Sequence, residues 1–263
     1  MRSRKKLGDK PYLLFLGAGV SISSRIPRMN VIIDRFLIDF GLVNDKKLKK
    51  MDSDQRYEMF VNTMSTLSQN DRYYWLQDAF KNARPSAGYP ALNRLVEKGY
   101  FEIILTTNWD SLLDKSLISS KKMIMNRDFR FYVIGVNQND FIVQSFQRSN
   151  PRIKILKLHG EMDDRVISVT PKETTNFPKK IVNLLKDLFR NRDVIMIGYS
   201  VADLDVQECI ERNRNTLICV NPKLPSSQTV LSIASKFKHV QKIDGKNGKF
   251  DVVMSKLSQA LPR

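Results

Sequence analysis

Apolar residues fall along this chain in two rhythms. The first is the short unbroken run. Tyr12 to Leu16 is almost wholly apolar, as suits a strand buried on both faces of a parallel sheet. The runs Glu102 to Thr107, Arg152 to Leu158, Asp193 to Ile197 and Thr216 to Val220 have the same β-branched, apolar character and predict further core strands. Shorter strands are expected at Phe131 to Val136, Asp140 to Val143 and Val166 to Val169, with an edge strand near Val240. The second rhythm is helical. Across Met29 to Phe40, the residues Ile32, Ile33, Phe36, Leu37 and Phe40 share one face, and Gly41 supplies a stop. Helices are also predicted over 111–119, 173–190, 203–212, 230–236 and 250–261.

Residues 42–100 contain no run that predicts a strand. Tyr57, Phe60, Val61 and Met64 recur at helical intervals, as do Tyr73, Trp75, Leu76 and Phe80. Ala91 to Lys98 adds a helix that Gly99 ends. The segment reads as a helical insertion beside a sheet, its aromatic residues belonging to a core. The expectation is an α/β fold: one domain over 1–263, a Rossmann-like parallel sheet flanked by helices, with the insertion at 42–100 within it.

The ends of the predicted strands are small or polar. They are Gly17-Ala18-Gly19-Val20-Ser21, Thr107-Asn108-Trp109-Asp110, His159-Gly160, Gly198-Tyr199-Ser200 and Asn221-Pro222. In open α/β sheets ligands bind at the carboxyl ends of the strands. A strand, a glycine turn and a helix start also form a seat for phosphate, since main-chain N–H groups and the helix dipole face the anion. The dinucleotide fingerprint asks for a third glycine where Ile22 stands, and for an acidic residue about 20 positions on. Asp34 and Asp39 lie in the predicted helix instead.

Composition narrows the classes. The 263 residues suffice for one large domain, which needs no disulfide staples. With 44 Lys and Arg against 27 Asp and Glu, the net charge is +17. The surplus is spread along the chain, and a diffuse positive field draws polyanions. No Arg-rich or Gly-aromatic nucleic-acid module stands out, so nucleic-acid contact is expected only through a partner or this diffuse surface. Two cysteines, Cys209 and Cys219, cannot build a four-cysteine zinc site and read as small buried hydrophobes. Asp163 and Asp164 run straight into Arg165, as in a solvated turn. His239 reads as a surface residue. The basic arm over 1–10 precedes an apolar run too short for the core of a signal peptide, and no stretch approaches the ~20 apolar residues that cross a membrane. A reducing, cytoplasmic setting is expected.

Gly17 to Ser21 followed by Ile26-Pro27, then Thr107 to Asp110, then His159-Gly160, closely resembles the sirtuin pattern in order and spacing. Gly198-Tyr199-Ser200 with Asp203 is more similar to the sirtuin-like NAD-hydrolysing domains of prokaryotic antiviral defence than to the protein deacetylases. The resemblance covers roughly residues 11–222. It implies that NAD is the substrate and that its bond to nicotinamide breaks through an oxocarbenium-like state. It implies three catalytic residues: Asn108 holding ribose or water, Asp110 receiving the nicotinamide carboxamide, and His159 taking a proton. For cofactor binding it implies Gly17, Ala18, Gly19, Val20, Ser21, Thr107, Gly198, Tyr199, Ser200 and Asp203, with Asn221 at the adenosine end.

On the residues alone, plainer roles stay open. Asn108 suits a helix cap, Asp110 the first turn of a helix, and His159 a turn. Four positions depart from deacetylating sirtuins. The zinc-binding cysteines are missing, so no zinc is expected. Thr107 stands where Gln is usual. Val166 to Thr170 replaces a Phe-Gly-Glu segment. Arg25 replaces the glycine usual before Ile-Pro. The expectation is an NAD glycohydrolase yielding nicotinamide and ADP-ribose, or a cyclised ADP-ribose, in antiviral defence by NAD depletion. Control would come from self-assembly into a homo-oligomer or from a separate sensor protein. The alternatives are an NAD-dependent deacetylase or ADP-ribosyltransferase, and a non-catalytic nucleotide-binding subunit.

Overall fold

The computed structural model describes residues 1, 7–169, 173, 177–199, 203–223 and 228–261. Its centre is a seven-stranded sheet in the order β3-β4-β2-β1-β7-β8-β9. The strands are β1 (Tyr12–Leu16), β2 (Phe101–Thr106), β3 (Phe129–Val133), β4 (Ile153–Lys157), β7 (Val194–Ile197), β8 (Thr216–Val220) and β9 (His239–Ile243). Every pairing within it is parallel. A two-stranded antiparallel hairpin, β5 (Gly160–Glu161) with β6 (Val166–Ile167), stands apart. The fold is Rossmann-like.

The inner strands are covered on both faces, which is why β1, β2, β7 and β8 read as largely apolar runs, whereas the edge strand β9 is exposed. In β1 successive side chains enter different cores. Leu14 and Leu16 pack with the helices Gly88–Glu97, Leu112–Ser119 and Phe250–Ala260, through residues such as Leu92, Leu117 and Met254. Leu13 and Phe15 pack on the opposite side with Ile181, Leu185 and Phe189 of the helix Lys179–Arg190. A third core lies outside the sheet. It joins Ile32, Ile33, Phe36 and Leu37 of the helix Met29–Asp39 to Phe60, Val61, Met64 and Leu76 of the helices Ser53–Thr66 and Gln69–Phe80, and to Ile167 of the hairpin.

Several elements differ from the sequence expectation. Asp140 to Val143 is not a strand but part of the helix Asn139–Gln147, whose Ile142 is buried beside Tyr132. The strand expected at Phe131 runs over Phe129–Val133, set by its register on β4. Of the helix expected over Glu173–Arg190, Glu173 is helical and a helix runs over Lys179–Arg190 after Pro178; residues 170–172 and 174–176 lie outside the described residues. The helix after β7 spans only Leu204–Glu208. Phe40 falls beyond its helix and is 38% exposed, though it stacks on Phe36. Cys209 is buried as expected, while Cys219 is half-buried. His239 is exposed on the edge strand. The part of the basic arm over 2–6 lies outside the described residues.

Going outward from β1, the sheet grows to one side through β2 and β4 and to the other through β7 and β8. The chain direction along the sheet therefore reverses between β1 and β7. Their carboxyl ends define the crevice where such folds seat ligands.

Candidate functional site

The glycines after β1 meet the turn after β7 at main-chain distance. A Cβ on Gly17 would lie 2.6 Å from Tyr199 Cα, and one on Gly19 2.7 Å from Gly198 Cα. Gly198 has φ +65°, and its own Cβ would come within 2.6 Å of Val20 N. The main-chain donors are spent in the same contact: Gly17 N–H donates to Ile197 O at 2.9 Å and Gly19 N–H to Gly198 O at 2.8 Å. These glycines let two strand ends cross, and the crossing engages the N–H groups of Gly17 and Gly19 themselves. The segment that follows, Ala18–Ser24, is a 3-10 helix, and Arg25 ends it at φ 69°. The left-handed backbone that favours glycine is thus kept at Arg25 without the glycine.

Beside this crossing lies a cavity of about 370 Å³. One wall is apolar, formed by Ile26, Pro27, Met29, Ile32, Phe80 and Trp109. The other carries Ser21, Asn108, Asp110, His159, Tyr199 and Asp203. Small-ligand sites have this makeup, an apolar lining with a few convergent polar groups.

A hydrogen-bond chain orders the Asn108–Asp110 loop. Asn108 Nδ2 donates to Gly17 O at 3.2 Å and to Ser21 Oγ at 3.1 Å. Ser21 Oγ donates in turn to Asp110 Oδ2 at 2.7 Å. Asp110 Oδ1 accepts from Leu112 N–H at 3.1 Å, a local turn just before the helix, so Asp110 stands ahead of the N-cap Ser111 rather than in the first helical turn. With its Nδ2 engaged, Asn108 leaves its Oδ1 buried and without a hydrogen-bond partner among the described residues. Burial pushes the Asp110 carboxyl above its ordinary range, against the opposing pull of Ser21, Leu112 N–H and the Lys157 charge.

His159 sits at the end of β4, 5% exposed, and its Nε2 is 2.8 Å from Oδ2 of Asp205, itself 3% exposed. Asp205 Oδ1 accepts from Val206 N–H at 2.8 Å, which fixes the carboxylate. Burial pushes the imidazole down, but the Asp205 hydrogen bond and the charges of Asp203 and Asp205 outweigh it and leave the group above its ordinary value. Burial also raises Asp203, with His159 opposing, and raises Tyr199 with help from Asp203. Tyr57, from the outer helices, is raised by burial and by Asp203. Asp205 is the residue that sequence reasoning missed. Its only signal was a second carboxylate two positions after Asp203. His159, Asp203 and Asp205 each place a ligand-type atom within 4.8 Å of the others. The short His159–Asp205 hydrogen bond gives them the character of a proton-holding dyad with a neighbouring acid.

Of the remaining expected residues, Ala18 and Thr107 line the cavity, with Tyr199 and Asp203. Val20 is buried in the sheet core. Gly17, Gly19 and Gly198 form the crossing behind the cavity. Asn221 does not line it, because its Nδ2 donates to Tyr199 O at 3.0 Å and supports that turn. Ser200 lies outside the described residues.

Residues 102–218 match the family model described as a SIR2-like domain. A solved Sir2 homologue in complex with NAD is 17% identical with a TM-score of 0.51, the match covering 98% of this chain and 92% of that one. A mutant Sir2 homologue in complex with ADP-ribose is 17% identical with a TM-score of 0.52, covering 98% and 94%. These likenesses establish a shared fold. No curated protein matches the chain.

Proposed function

We infer that this chain, which carries a SIR2-like domain on a Sir2-type fold, binds NAD and cleaves its nicotinamide–ribose bond with water as the acceptor. One observation carries the reading. Asn108, with a buried amide oxygen free to accept, lines the same cavity as the His159 that Asp205 orients. A free acceptor beside an oriented imidazole is what positioning and deprotonating a hydroxyl require.

In this mechanism the C1′–N bond of NAD breaks, and its electron pair leaves with nicotinamide. Asp110 meets the carboxamide and holds the leaving group. Asn108 Oδ1 accepts a hydrogen bond from the attacking water or a ribose hydroxyl. With Nε2–H donated to Asp205, the neutral imidazole presents Nδ1 as its basic atom, as in other carboxylate–histidine pairs. The water oxygen bonds to C1′ and its proton passes to His159. Nicotinamide and ADP-ribose result, or a cyclised ADP-ribose where a ribose hydroxyl attacks. We assign the activity to antiviral NAD depletion, held in check by a regulatory partner or by self-assembly. The sequence resemblance supports this assignment.

The apolar wall favours one second reading. Ile26, Met29, Phe80 and Trp109 would suit the aliphatic stem of an acylated lysine, as a deacetylase requires. Incubation of the protein with NAD, with and without an acetylated peptide, separates the two once products are resolved by chromatography and mass. Peptide-independent release of nicotinamide and ADP-ribose is expected. Release only with peptide, together with an acetylated ADP-ribose, would replace the hydrolase with the deacetylase.

A further inference from the structure

Beneath the site lies a lysine with almost no access to solvent. Lys157 ends β4, two residues before His159, and is 1% exposed. Its ammonium lies 2.7 Å from Asp114 Oδ2, on the helix Leu112–Ser119. It also donates to Glu161 Oε1 on β5 and, at 3.2 Å, to the main-chain oxygen of Asp110. The ammonium thus makes two hydrogen bonds and one ion pair, with partners on three different parts of the fold. Burial lowers the basicity of Lys157, yet Asp114 and Glu161 outweigh it and hold the group charged.

Stability alone does not account for this arrangement. A buried ionic triad is commonly no better for stability than apolar residues of the same size. Its geometry is the informative part. The loop that carries Asn108 and Asp110 is tied down through consecutive carbonyls: Trp109 O accepts from Met162 N–H at 2.9 Å, and Asp110 O accepts from Lys157. Both tethers come from the β4–β5 segment, the same segment that presents His159.

We propose that Lys157, braced by Asp114 and Glu161, is a positioning residue that fixes the Asn108–Asp110 loop in register with His159. The proposal rests on the NAD-cleaving reading for its catalytic consequence but not for its structural one. Lys157 touches no substrate. It acts through the Asp110 main chain, so its loss should lower turnover more than NAD affinity. A misplacement of about 1 Å at reacting atoms can cost about 100-fold.

The test uses Trp109, which sits inside the loop. The chain has two tryptophans, and Trp75→Phe leaves Trp109 as the sole indole reporter. In that background Lys157→Met is compared with the neutral triple variant Lys157→Met/Asp114→Asn/Glu161→Gln. The single variant should lose thermal stability, release nicotinamide about 100-fold more slowly with KM for NAD within about twofold, and expose Trp109 to acrylamide quenching. The triple variant leaves no uncompensated buried charge and should regain stability without regaining rate or quenching protection. Recovery of all three properties together would make the cluster merely structural and overturn the proposal. Unchanged quenching and rate in a folded Lys157→Met would also overturn it. If the parent releases no nicotinamide but Trp109 quenching follows the expected pattern, the loop brace stands and the hydrolase reading falls.

Discussion

Asp205 changes what His159 is at neutral pH. Because the imidazole pKa is raised, the cation persists above the ordinary value near 6.5, and the base form appears only as pH rises through the folded value. The rate of NAD cleavage should therefore climb with pH and level off on the alkaline side. Asp205→Asn should shift that climb to lower pH and lower its plateau, as a single-turnover pH–rate profile would reveal. The linked stability runs the opposite way with pH. It is present below about 6.5 and is lost as pH rises through the folded pKa, so wild type and Asp205→Asn should converge in alkaline denaturant melts. Arg25 offers a simpler test. Its φ of 69° costs a non-glycine residue about 1 kcal/mol, and Arg25→Gly should recover a comparable amount in urea unfolding. The glycines themselves were legible in the sequence, but the strand crossing they allow was not. Gly19→Ala should cost stability, about 1–3 kcal/mol as for other overpacked sites, because its Cβ meets Gly198 rather than a ligand. Loss of NAD affinity with no change in melting temperature would contradict that account.

At the scale of elements, β1, β2, β4, β7 and β8 could be read directly. Strands buried on both faces leave short, largely apolar, β-branched runs. Asp140 to Val143 misled because four residues are too few to separate a period of two from one of 3.6. The deciding contact, Ile142 in the core with Tyr132, is tertiary. The His159–Asp205 pair was out of reach for a different reason. The two residues are 46 positions apart, His159 just after β4 and Asp205 in the short helix that follows β7, and β2 and β1 separate those strands in the sheet. A sequence identifies strand ends; it does not say which of them meet. The same juxtaposition gathers Asp203, and the three groups have the types that bind cations. As a dyad, they should work without one. Exhaustive chelation should leave nicotinamide release unchanged, and elemental analysis should find well under one equivalent of zinc. A rate abolished by chelation and restored by a divalent ion would reassign the cluster.

Across the whole molecule, the cavity is shared between cores. Its polar wall belongs to the sheet ends. Its apolar wall draws Ile32 from the outer helical core, with Phe80 packed against that core and the sheet core alike. Among the described residues no helix is long and apolar enough to cross a membrane. NAD at 100 times its dissociation constant should raise the unfolding free energy by about 2.7 kcal/mol, seen as an upward shift in melting temperature. No shift with NAD in any concentration range would remove it as the ligand.

That shared wall makes the outer helices a gauge of occupancy. A ligand that grips Ile32 and Phe80 draws part of its affinity from a core whose assembly is a separate equilibrium, so the two free energies are linked and reciprocal. Leu76, fully buried and not part of the cavity lining, belongs to that core. Truncating it to Ala removes about 2–5 kcal/mol of packing and should weaken NAD binding without touching a contact atom. In the opposite direction, NAD should slow amide exchange across Ser53–Thr66 and Gln69–Phe80, helices that reach the cavity through Tyr57 and Phe80. The helical module then acts as a reporter whose local melting reads out how full the pocket is.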